Sequence, residues 1–351
     1  MAISSRAFWP KGLPDQLRVP QAPLTHYLEV AADRYPDKAA IVYGGRSLSY
    51  GQLRARVNAL SAYLSQRMGV QHGDRVLLMS QNCPQFIEAF YAVMRAGAVV
   101  VPVNAMSTAE EVAYYMHNSG AQVALVAQEL LPHVLPNMQP HTANGLSAVM
   151  VHAYSDALPS EHIDSDLPEV VLAPRQPLTQ AGLHGMEDAI AQQLVQTLKH
   201  PDVNDLCVLP YTSGTTGHPK GCQHTHATVL ASNMSSQIWR GLHAESVFLA
   251  VAPMFHMLGM QGGMNVPITL SSTIVMMPRW HAPTAARLIE KHRVTCWAAP
   301  PAMLIDFFAN PKANEWDLAS LSTLSGGGAA MPESVSALLQ SRFGISYNEA
   351  Y

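Results

Sequence analysis

The chain has 351 residues, of which 48% are hydrophobic and 13% are charged, and its formal net charge is −4 at pH 7. This apolar content is enough for a large folded core and excludes a mostly disordered chain. The slightly acidic balance excludes the basic surface that is typical of nucleic-acid binding, so we expect no nucleic-acid partner.

Strand and helix patterns alternate through the first half of the chain. After a proline-rich arm over residues 1–22, the predicted elements are a helix at 24–35, a strand at 39–43, a helix from a Ser49 cap to about Met68, a strand at 75–80, a helix at 84–97, a strand at 98–102, a helix at 108–119 and a strand at 122–126. Residues 130–200 are rich in Pro and His, and there we expect a strand at 147–153 and a helix at 186–199.

The second half repeats this alternation. We predict strands at 206–210, 247–252, 273–277, 294–297 and 321–324, and helices at 225–240, 283–292, 301–309 and 332–342. Strands with continuous apolar runs, separated by helices, indicate parallel sheets that are covered on both faces. The sequence therefore predicts an α/β fold of two packed subdomains with mainly parallel sheets flanked by helices.

Two negative features narrow the class of protein further. The four cysteines are widely spaced without a CxxC pair, which is typical of reduced thiols and argues against a disulfide framework or a zinc site. The N-terminus has no apolar core of signal-peptide length, and no run approaches the ~20 apolar residues of a membrane-spanning helix. We expect a cytoplasmic protein without a transmembrane segment, and peripheral membrane contact and homo-oligomer formation stay open.

The most informative stretch is LPYTSGTTGHPKGCQHTH at residues 209–226, between a predicted strand and a predicted helix. Its glycines allow several backbone N–H groups to approach one anion, its hydroxyls add donors, and Lys220 supplies a positive charge. This combination predicts a phosphate-binding loop, although the spacing differs from the common GxxxxGK(S/T) pattern. The alternative is a solvated Ser/Gly-rich turn, which usually lacks a lysine.

Residues 211–221, YTSGTTGHPKG, resemble the signature of the adenylate-forming superfamily, which includes acyl-CoA synthetases, luciferases and peptide-synthetase adenylation domains. Four further stretches match this family in order and spacing, namely GDRV at 73–76 with Asn82, APMFHMLG at 252–259, LSGGGAAMP at 324–332 and YNEAY at 347–351. The resemblance covers nearly the whole chain from about residue 24. The Ala-Pro-x-Phe-His form and its hydrophobic flanks look most like fatty-acyl or medium-chain acyl-CoA ligases.

The resemblance implies nucleotide contacts for two groups of residues. The pyrophosphate part of ATP would be held by Thr212, Ser213, Gly214, Thr215, Thr216, Gly217 and Lys220. The adenine would lie against Gly326, Gly327, Gly328 and Tyr351. In isolation a terminal tyrosine would be frayed, which is the alternative for Tyr351.

The resemblance also implies residues for the acid. His256 would be catalytic, near the carboxylate and the phosphate, and the alternative is a core or helix-capping histidine. The acyl pocket would be lined or gated by Phe255, Met257, Met260, Gly262 and Gly263, with ordinary core packing as the alternative for each. His224 and His226 are interpreted as the start of the following helix rather than as a metal pair.

The reaction that the resemblance implies has two steps. A fatty acid and ATP, with Mg²⁺, give an acyl-adenylate and pyrophosphate, and the thiol of CoA then attacks the adenylate to give acyl-CoA and AMP. The printed chain ends at Tyr351, before the family's Mg²⁺-binding glutamate and its C-terminal lid domain with the bridging lysine. We therefore expect no metal ligand in this chain, and an inactive or impaired enzyme when it is tested alone.

Four alternatives stay open beside the fatty-acid ligase. They are a ligase for aryl or short-chain acids, a ligase that passes the adenylate to a carrier protein, a non-catalytic module that binds nucleotide or acyl groups, and an unproductive truncation that neither folds well nor binds. The resemblance assigns residues 1–351 to an AMP-binding N-terminal domain, with one subdomain at about 75–235 and a discontinuous one at about 20–74 plus 236–351. The ligand cleft would lie between them at the carboxyl ends of the strands.

Overall fold

Two seven-stranded sheets organise the computed structural model, which describes residues 9–139, 145–195, 201–212 and 217–349. The strands are β1 (Ala39–Tyr43), β2 (Arg46–Ser49), β3 (Arg75–Met79), β4 (Val99–Val103), β5 (Val123–Ala127), β6 (Ala148–His152), β7 (Leu183–Gly185), β8 (Leu206–Val208), β9 (Tyr211–Thr212), β10 (Lys220–Gly221), β11 (His224–Thr225), β12 (Val247–Ala250), β13 (Thr273–Met276), β14 (Cys296–Ala298), β15 (Thr323–Gly326) and β16 (Tyr347–Glu349). The short β9 and β10 form a separate hairpin.

Helices cover the faces of both sheets. They are α1 (Leu24–Arg34), α2 (Tyr50–Arg67), α3 (Pro84–Arg95), α4 (Ala109–Ser119), α5 (Leu131–Val134), α6 (Glu169–Leu172), α7 (Met186–Ala191), α8 (His226–Arg240), α9 (Met257–Met260), α10 (Val266–Leu270), α11 (Ala282–His292), α12 (Pro301–Ala309) and α13 (Glu333–Leu338). A π turn at Gln261–Asn265 joins α9 to α10, and another at Leu339–Phe343 follows α13. No helix among the described residues combines the length and the apolar character that crossing a membrane requires.

The strand orders confirm the predicted α/β class with mainly parallel sheets. The first sheet has the order β11-β8-β4-β3-β5-β6-β7, and its pairs are parallel except β11 with β8. The second has the order β16-β15-β14-β12-β13-β1-β2, and its pairs are parallel except β1 with β2. The second sheet thus joins strands from both ends of the chain, while the residue limits given for the two subdomains stay predictions.

Local signals explain where the main helices begin. Ser49 starts α2 with a capping box, since its side chain accepts from the Gln52 N–H and the Gln52 side chain accepts from the Ser49 N–H. Thr108 and Glu111 form the same arrangement at α4, which ends at Gly120 in the left-handed conformation. These helix starts confirm the sequence prediction.

One expectation about the helices was wrong, and one helical segment was not predicted; residues 196–199 of the predicted helix lie outside the described residues. The predicted helix at 186–199 ends at Ala191, because Gln193 adopts a positive φ of 47° that breaks the helical path. The helical segment from Met257 to Leu270 was not predicted. Its three glycines and Pro267 have low helix propensity, so its packing against strands of the second sheet and against α1 and α8 decides its conformation.

A largely buried ion pair connects the three helices α2, α3 and α7. The side chain of Glu88 on α3 is 2% exposed and accepts two hydrogen bonds from Arg56 of α2, at 2.6 and 3.0 Å. Arg56 also binds Glu187 of α7. Burial raises the pKa of the Glu88 carboxyl, and the neighbouring Arg56 opposes that rise.

Candidate functional site

Asn82, just after β3, connects the carboxyl ends of the two sheets. Its side chain is 4% exposed; the amide Nδ2 donates to the carbonyl of Ala252 at 3.0 Å, and Oδ1 accepts from the N–H of Met254 at 2.9 Å. The sequence indicated Asn82 only as part of a family-like strand. The structure shows that it holds the segment that carries His256.

Asn82→Ala is expected to lower the free energy of unfolding by about 1–3 kcal/mol, because two buried backbone groups lose their partner. Urea denaturation followed by circular dichroism measures this loss. Asn204→Ala is the matched control, since the Asn204 amide donates to Asp202 at the surface. Equal losses in the two variants would contradict the connecting role of Asn82.

A cavity of about 970 Å³, here called the main cavity, lies between α8, the α9 segment and the ends of β14, β15 and β16. Seven residues that the sequence singled out line it, namely Phe255, His256, Met257, Gly262, Gly326, Gly327 and Gly328. Met260 and Gly263 do not: Met260 is fully buried in the core, and Gly263 lies behind the wall, against Ala250. The fold therefore brings the histidine motif and the glycine segment to one space.

The position of His256 follows from the start of α9. Its N–H donates to the carbonyl of Pro253 at 3.1 Å, and its own carbonyl accepts from the N–H of Met260 at 2.9 Å. The backbone is thereby fixed, while the residue is exposed and borders the main cavity. The imidazole can therefore meet a ligand, which a buried core histidine could not.

Close packing requires glycine at two positions around the main cavity. A Cβ at Gly326 would lie 1.9 Å from the carbonyl oxygen of Ala299 and 2.5 Å from the hydroxyl of Tyr347. A Cβ at Gly259 would lie 2.3 Å from the carbonyl oxygens of both Ala252 and Pro253. Protein packing thus accounts for Gly326 without a nucleotide, a reason that the sequence analysis did not give.

Tyr347 on β16 is a cavity residue to which the sequence analysis gave no role beyond its place in the YNEAY stretch. Its hydroxyl is buried and has no hydrogen-bond partner among the described residues. Burial, with a contribution from Glu349, raises the pKa of Tyr347 to about 12. A neutral phenol therefore offers a donor to the space beside Gly326.

The described part of the predicted phosphate loop is a hairpin outside the main cavity. Thr212 on β9 pairs with Lys220 on β10, Lys220 is exposed, and Gly217 has a φ of 150°. The remaining predicted nucleotide contacts, which are Ser213, Gly214, Thr215, Thr216 and Tyr351, lie outside the described residues.

Aromatic residues of α4 hold this hairpin. The Tyr114 hydroxyl donates to the carbonyl of Pro219 at 2.7 Å, and its ring stacks on His218 with centroids 5.1 Å apart. The Tyr211 hydroxyl donates to Asn118 Oδ1 at 2.6 Å. Adjacent tyrosines in a helix were the available signal, but only the fold shows what they contact.

The two histidines after the loop occupy different elements. His226 is the first residue of α8, as predicted, and its Nδ1 accepts from the N–H of Leu24 at 3.1 Å. Burial lowers the pKa of His226 to about 4. His224 instead lies in strand β11, where it pairs with Val208 of β8, so its assignment to the helix was wrong. The described ranges contain no group of three or more His, Cys, Asp or Glu residues suited to a metal ion.

Comparison with known protein families gives a match over most of the chain. The model of the family described as "AMP-binding enzyme" matches residues 28–351. The long-chain-fatty-acid–CoA ligase of Bacillus subtilis (strain 168) is 30% identical, over 98% of this chain and 62% of its own length. The 4-coumarate–CoA ligase 1 of Oryza sativa subsp. japonica is 27% identical, over 86% of this chain and 52% of its own. The chain thus spans between half and two thirds of the length of these two relatives.

Solved structures share the fold. A long-chain-fatty-acid-CoA ligase (FadD1) from Archaeoglobus fulgidus superimposes with a TM-score of 0.78 and 21% identity, over 97% of this chain and 66% of that one. The anthranilate CoA ligase AuaEII, in complex with anthranoyl-AMP, has a TM-score of 0.78 and 21% identity, over 94% and 60%. At these identities, the likeness supports the architecture and says nothing further about this chain's ligands.

Proposed function

Because the chain belongs to the AMP-binding enzyme family, we propose that it forms the ATP- and acid-binding part of an acid–CoA ligase. In the proposed reaction, a carboxylate oxygen attacks the α-phosphate of ATP, which forms an acyl-adenylate and releases pyrophosphate. The thiolate of CoA then attacks the acyl carbonyl, a thioester forms, and AMP leaves. The observation that carries the proposal is the single cavity bordered by both His256 and the segment Gly326–Gly328.

The proposal gives each feature a distinct task. The hairpin with Lys220 would hold the leaving phosphates, where fixed positive charge stabilises the charge that develops. His256 would lie beside the reacting carboxylate, and the backbone of Gly327 and Gly328 would face the nucleotide. The Tyr347 hydroxyl would gain the acceptor that it lacks among the described residues.

The proposed reaction requires Mg²⁺ as a cofactor and CoA as the second substrate. Mg²⁺ would accompany the phosphates of ATP and offset their charge. Within 9–139, 145–195, 201–212 and 217–349, no cluster of acidic or His/Cys side chains forms a metal site, so we assign no ligand to the ion. CoA would enter after the adenylate forms.

A medium- or long-chain fatty acid is the proposed acid. Phe255, Met257 and Leu258 give one wall of the main cavity an apolar, adaptable surface. A volume of about 970 Å³ is at the upper end for small-molecule sites, so nucleotide and acid could share it. An aryl acid is the second candidate, because relatives at 26–28% identity include 4-coumarate, benzoate and feruloyl ligases.

Calorimetric titration with non-hydrolysable acyl-sulfamoyl-adenosine analogues tests the proposal on this chain. Analogues of dodecanoic, 4-coumaric and acetic acid occupy both the nucleotide and the acid positions. We expect the dodecanoyl compound to bind most tightly. Tightest binding of the coumaroyl compound would favour the second candidate, and binding of none would overturn the proposed function.

Lys220→Ala is expected to weaken ATP binding by roughly 10- to 100-fold, which corresponds to the loss of a charge-assisted hydrogen bond of about 1.5–3 kcal/mol. Calorimetry with ATP at constant ionic strength measures the change. Lys312→Ala, which removes an exposed lysine between α12 and β15, is the control for net charge. An unchanged affinity in Lys220→Ala would remove the hairpin from the phosphate site.

A further inference from the structure

Arg240, the last residue of α8, lines the main cavity and is fixed in position by two hydroxyl groups. Its Nη1 donates to Ser325 Oγ at 2.6 Å, and its Nη2 donates to Ser236 Oγ. Ser236 lies one turn back on the same helix, and Ser325 lies on β15. The guanidinium group is therefore held between α8 and the second sheet, with little freedom to swing into solvent.

The charge of Arg240 has no carboxylate partner in the part of the chain that the structure describes. A guanidinium group has five N–H donors, and the two serines use two of them. Burial lowers the pKa of Arg240, but a guanidinium stays charged in proteins. A partly buried charge without a counter-ion is less favourable than a paired one, so a ligand that brings an anion would be stabilised beside Arg240.

Arg240 reaches the inner part of the main cavity. Its partner Ser325 is 5% exposed, whereas Gly327 is partly exposed and Gly328 is exposed, so the chain passes from interior to surface along these residues. His256, at the proposed reacting carboxylate, is also exposed. The guanidinium is thus on the inner side of the segment that is proposed to meet the nucleotide.

A second donor points to the same kind of ligand. Gln261, in the π turn, lines the main cavity, and its Nε2 is buried without a hydrogen-bond partner among the described residues. Its Oε1 accepts from Asn265 Nδ2 at 3.2 Å, which fixes the orientation of the amide. A purely aliphatic tail would give neither this N–H nor the guanidinium a hydrogen-bond acceptor, and leaving a polar group without a partner is unfavourable.

We propose that the acid bound in the main cavity carries a second carboxylate at the end remote from the reacting one, and that Arg240 binds it together with Gln261. The substrate class is then a medium- or long-chain dicarboxylic acid, of which one end is adenylated. A carboxylate accepts two parallel N–H bonds from a guanidinium, which gives both geometry and charge compensation. This inference rests on the proposed function and narrows it from fatty acids to dicarboxylic acids.

Matched acyl-sulfamoyl-adenosine pairs test the inference by calorimetry on the full chain. The two members of a pair have acyl chains of equal length, and only one member carries a carboxylate at the remote end. The pairs are made from hexanoic and hexanedioic acid, from decanoic and decanedioic acid, and from tetradecanoic and tetradecanedioic acid. We expect the dicarboxylic member of the best-binding pair to bind roughly tenfold more tightly or better. In Arg240→Met this ratio should fall by roughly tenfold, whereas Arg240→Lys, which keeps a charge, should keep part of it.

The outcomes separate the two proposals. If the monocarboxylic members bind equally well or better in the unmodified chain, the dicarboxylic inference is overturned while the ligase function stands. If no analogue of any length binds, both proposals fail. Thermal melting of each variant confirms that it is folded, and the ratio in the unmodified chain is a test that needs no variant.

Discussion

Arg56→Met is expected to lower the free energy of unfolding by about 3–5 kcal/mol at pH 7, because Glu88 then stays buried without its counter-ion. The arginine binds both oxygens of Glu88, at 2.6 and 3.0 Å, and the carboxylate side chain is 2% exposed. Methionine retains most of the apolar stem, so the loss comes mainly from the missing charge. Urea denaturation of both proteins measures the difference.

The loss should depend on pH with a definite sign. Burial already raises the pKa of Glu88 above its ordinary value of 4.5, and removal of Arg56 raises it further. A group whose pKa is higher in the folded than in the unfolded protein contributes to stability at pH values below its unfolded pKa. This contribution to the free energy of unfolding is lost as the pH rises through the folded pKa. The variant should therefore approach the parent in stability as the pH falls from 7 towards 4.5, where Glu88 is protonated.

Two further variants complete this test. Arg56→Met combined with Glu88→Gln should recover part of the stability at pH 7, because the unpaired charge is gone. Arg67→Met removes an exposed arginine from the end of the same helix and should cost less than about 0.5 kcal/mol. A loss in Arg56→Met that does not change with pH would show that Glu88 is not the cause.

Gly326→Ala is expected to destabilise the protein by about 3 kcal/mol or more and to abolish binding of acyl-adenylate analogues. The added Cβ would lie 1.9 Å from the carbonyl oxygen of Ala299, so β15 must move away from the end of β14. Insertion of even one carbon into such a contact typically costs 1–3 kcal/mol, and backbone atoms have less freedom to yield than side chains. Denaturation and calorimetry together measure both effects.

The glycines near the main cavity offer a graded control. A Cβ at Gly263 would lie 3.2 Å from the Cβ of Ala250, a contact that small shifts relieve, and alanine favours a helix. Gly263→Ala should therefore be nearly neutral. Gly259→Ala, with two carbonyl oxygens at 2.3 Å, should behave like Gly326→Ala. The reverse order of destabilisation would contradict the packing account of these glycines.

Short-range features of the fold could be predicted because a few neighbouring residues determine them. The capping box at Ser49 needs only residues 49–52, and the apolar run at Arg75–Met79 is sufficient to indicate a buried strand. The prediction that the glycine- and threonine-rich loop binds phosphate likewise rested on neighbouring residues alone, namely its glycines, its hydroxyl groups and Lys220. These signals led to the correct α/β class and to the family.

The arrangement of the main cavity depended on contacts between residues far apart in the chain. Arg240 and Ser325 are 85 positions apart, and Asn82 and Ala252 are 170 apart. The order of strands in the sheet decides which strand ends lie next to each other, and this order cannot be read from the spacing of residues along the chain. For the same reason the helix around the π turn at Gln261–Asn265 escaped prediction.

The sequence by itself thus determined the alternation of strands and helices and the helix caps, since each depends on hydrogen bonds and apolar spacing over a few residues. The tertiary structure alone decided that His256 and Gly326 border one cavity. It also placed in the cavity wall the guanidinium of Arg240, which has no carboxylate partner among the residues that the structure describes. Partial burial removes water from the guanidinium and strengthens its interaction with an anion, and this burial arises only when distant segments pack together.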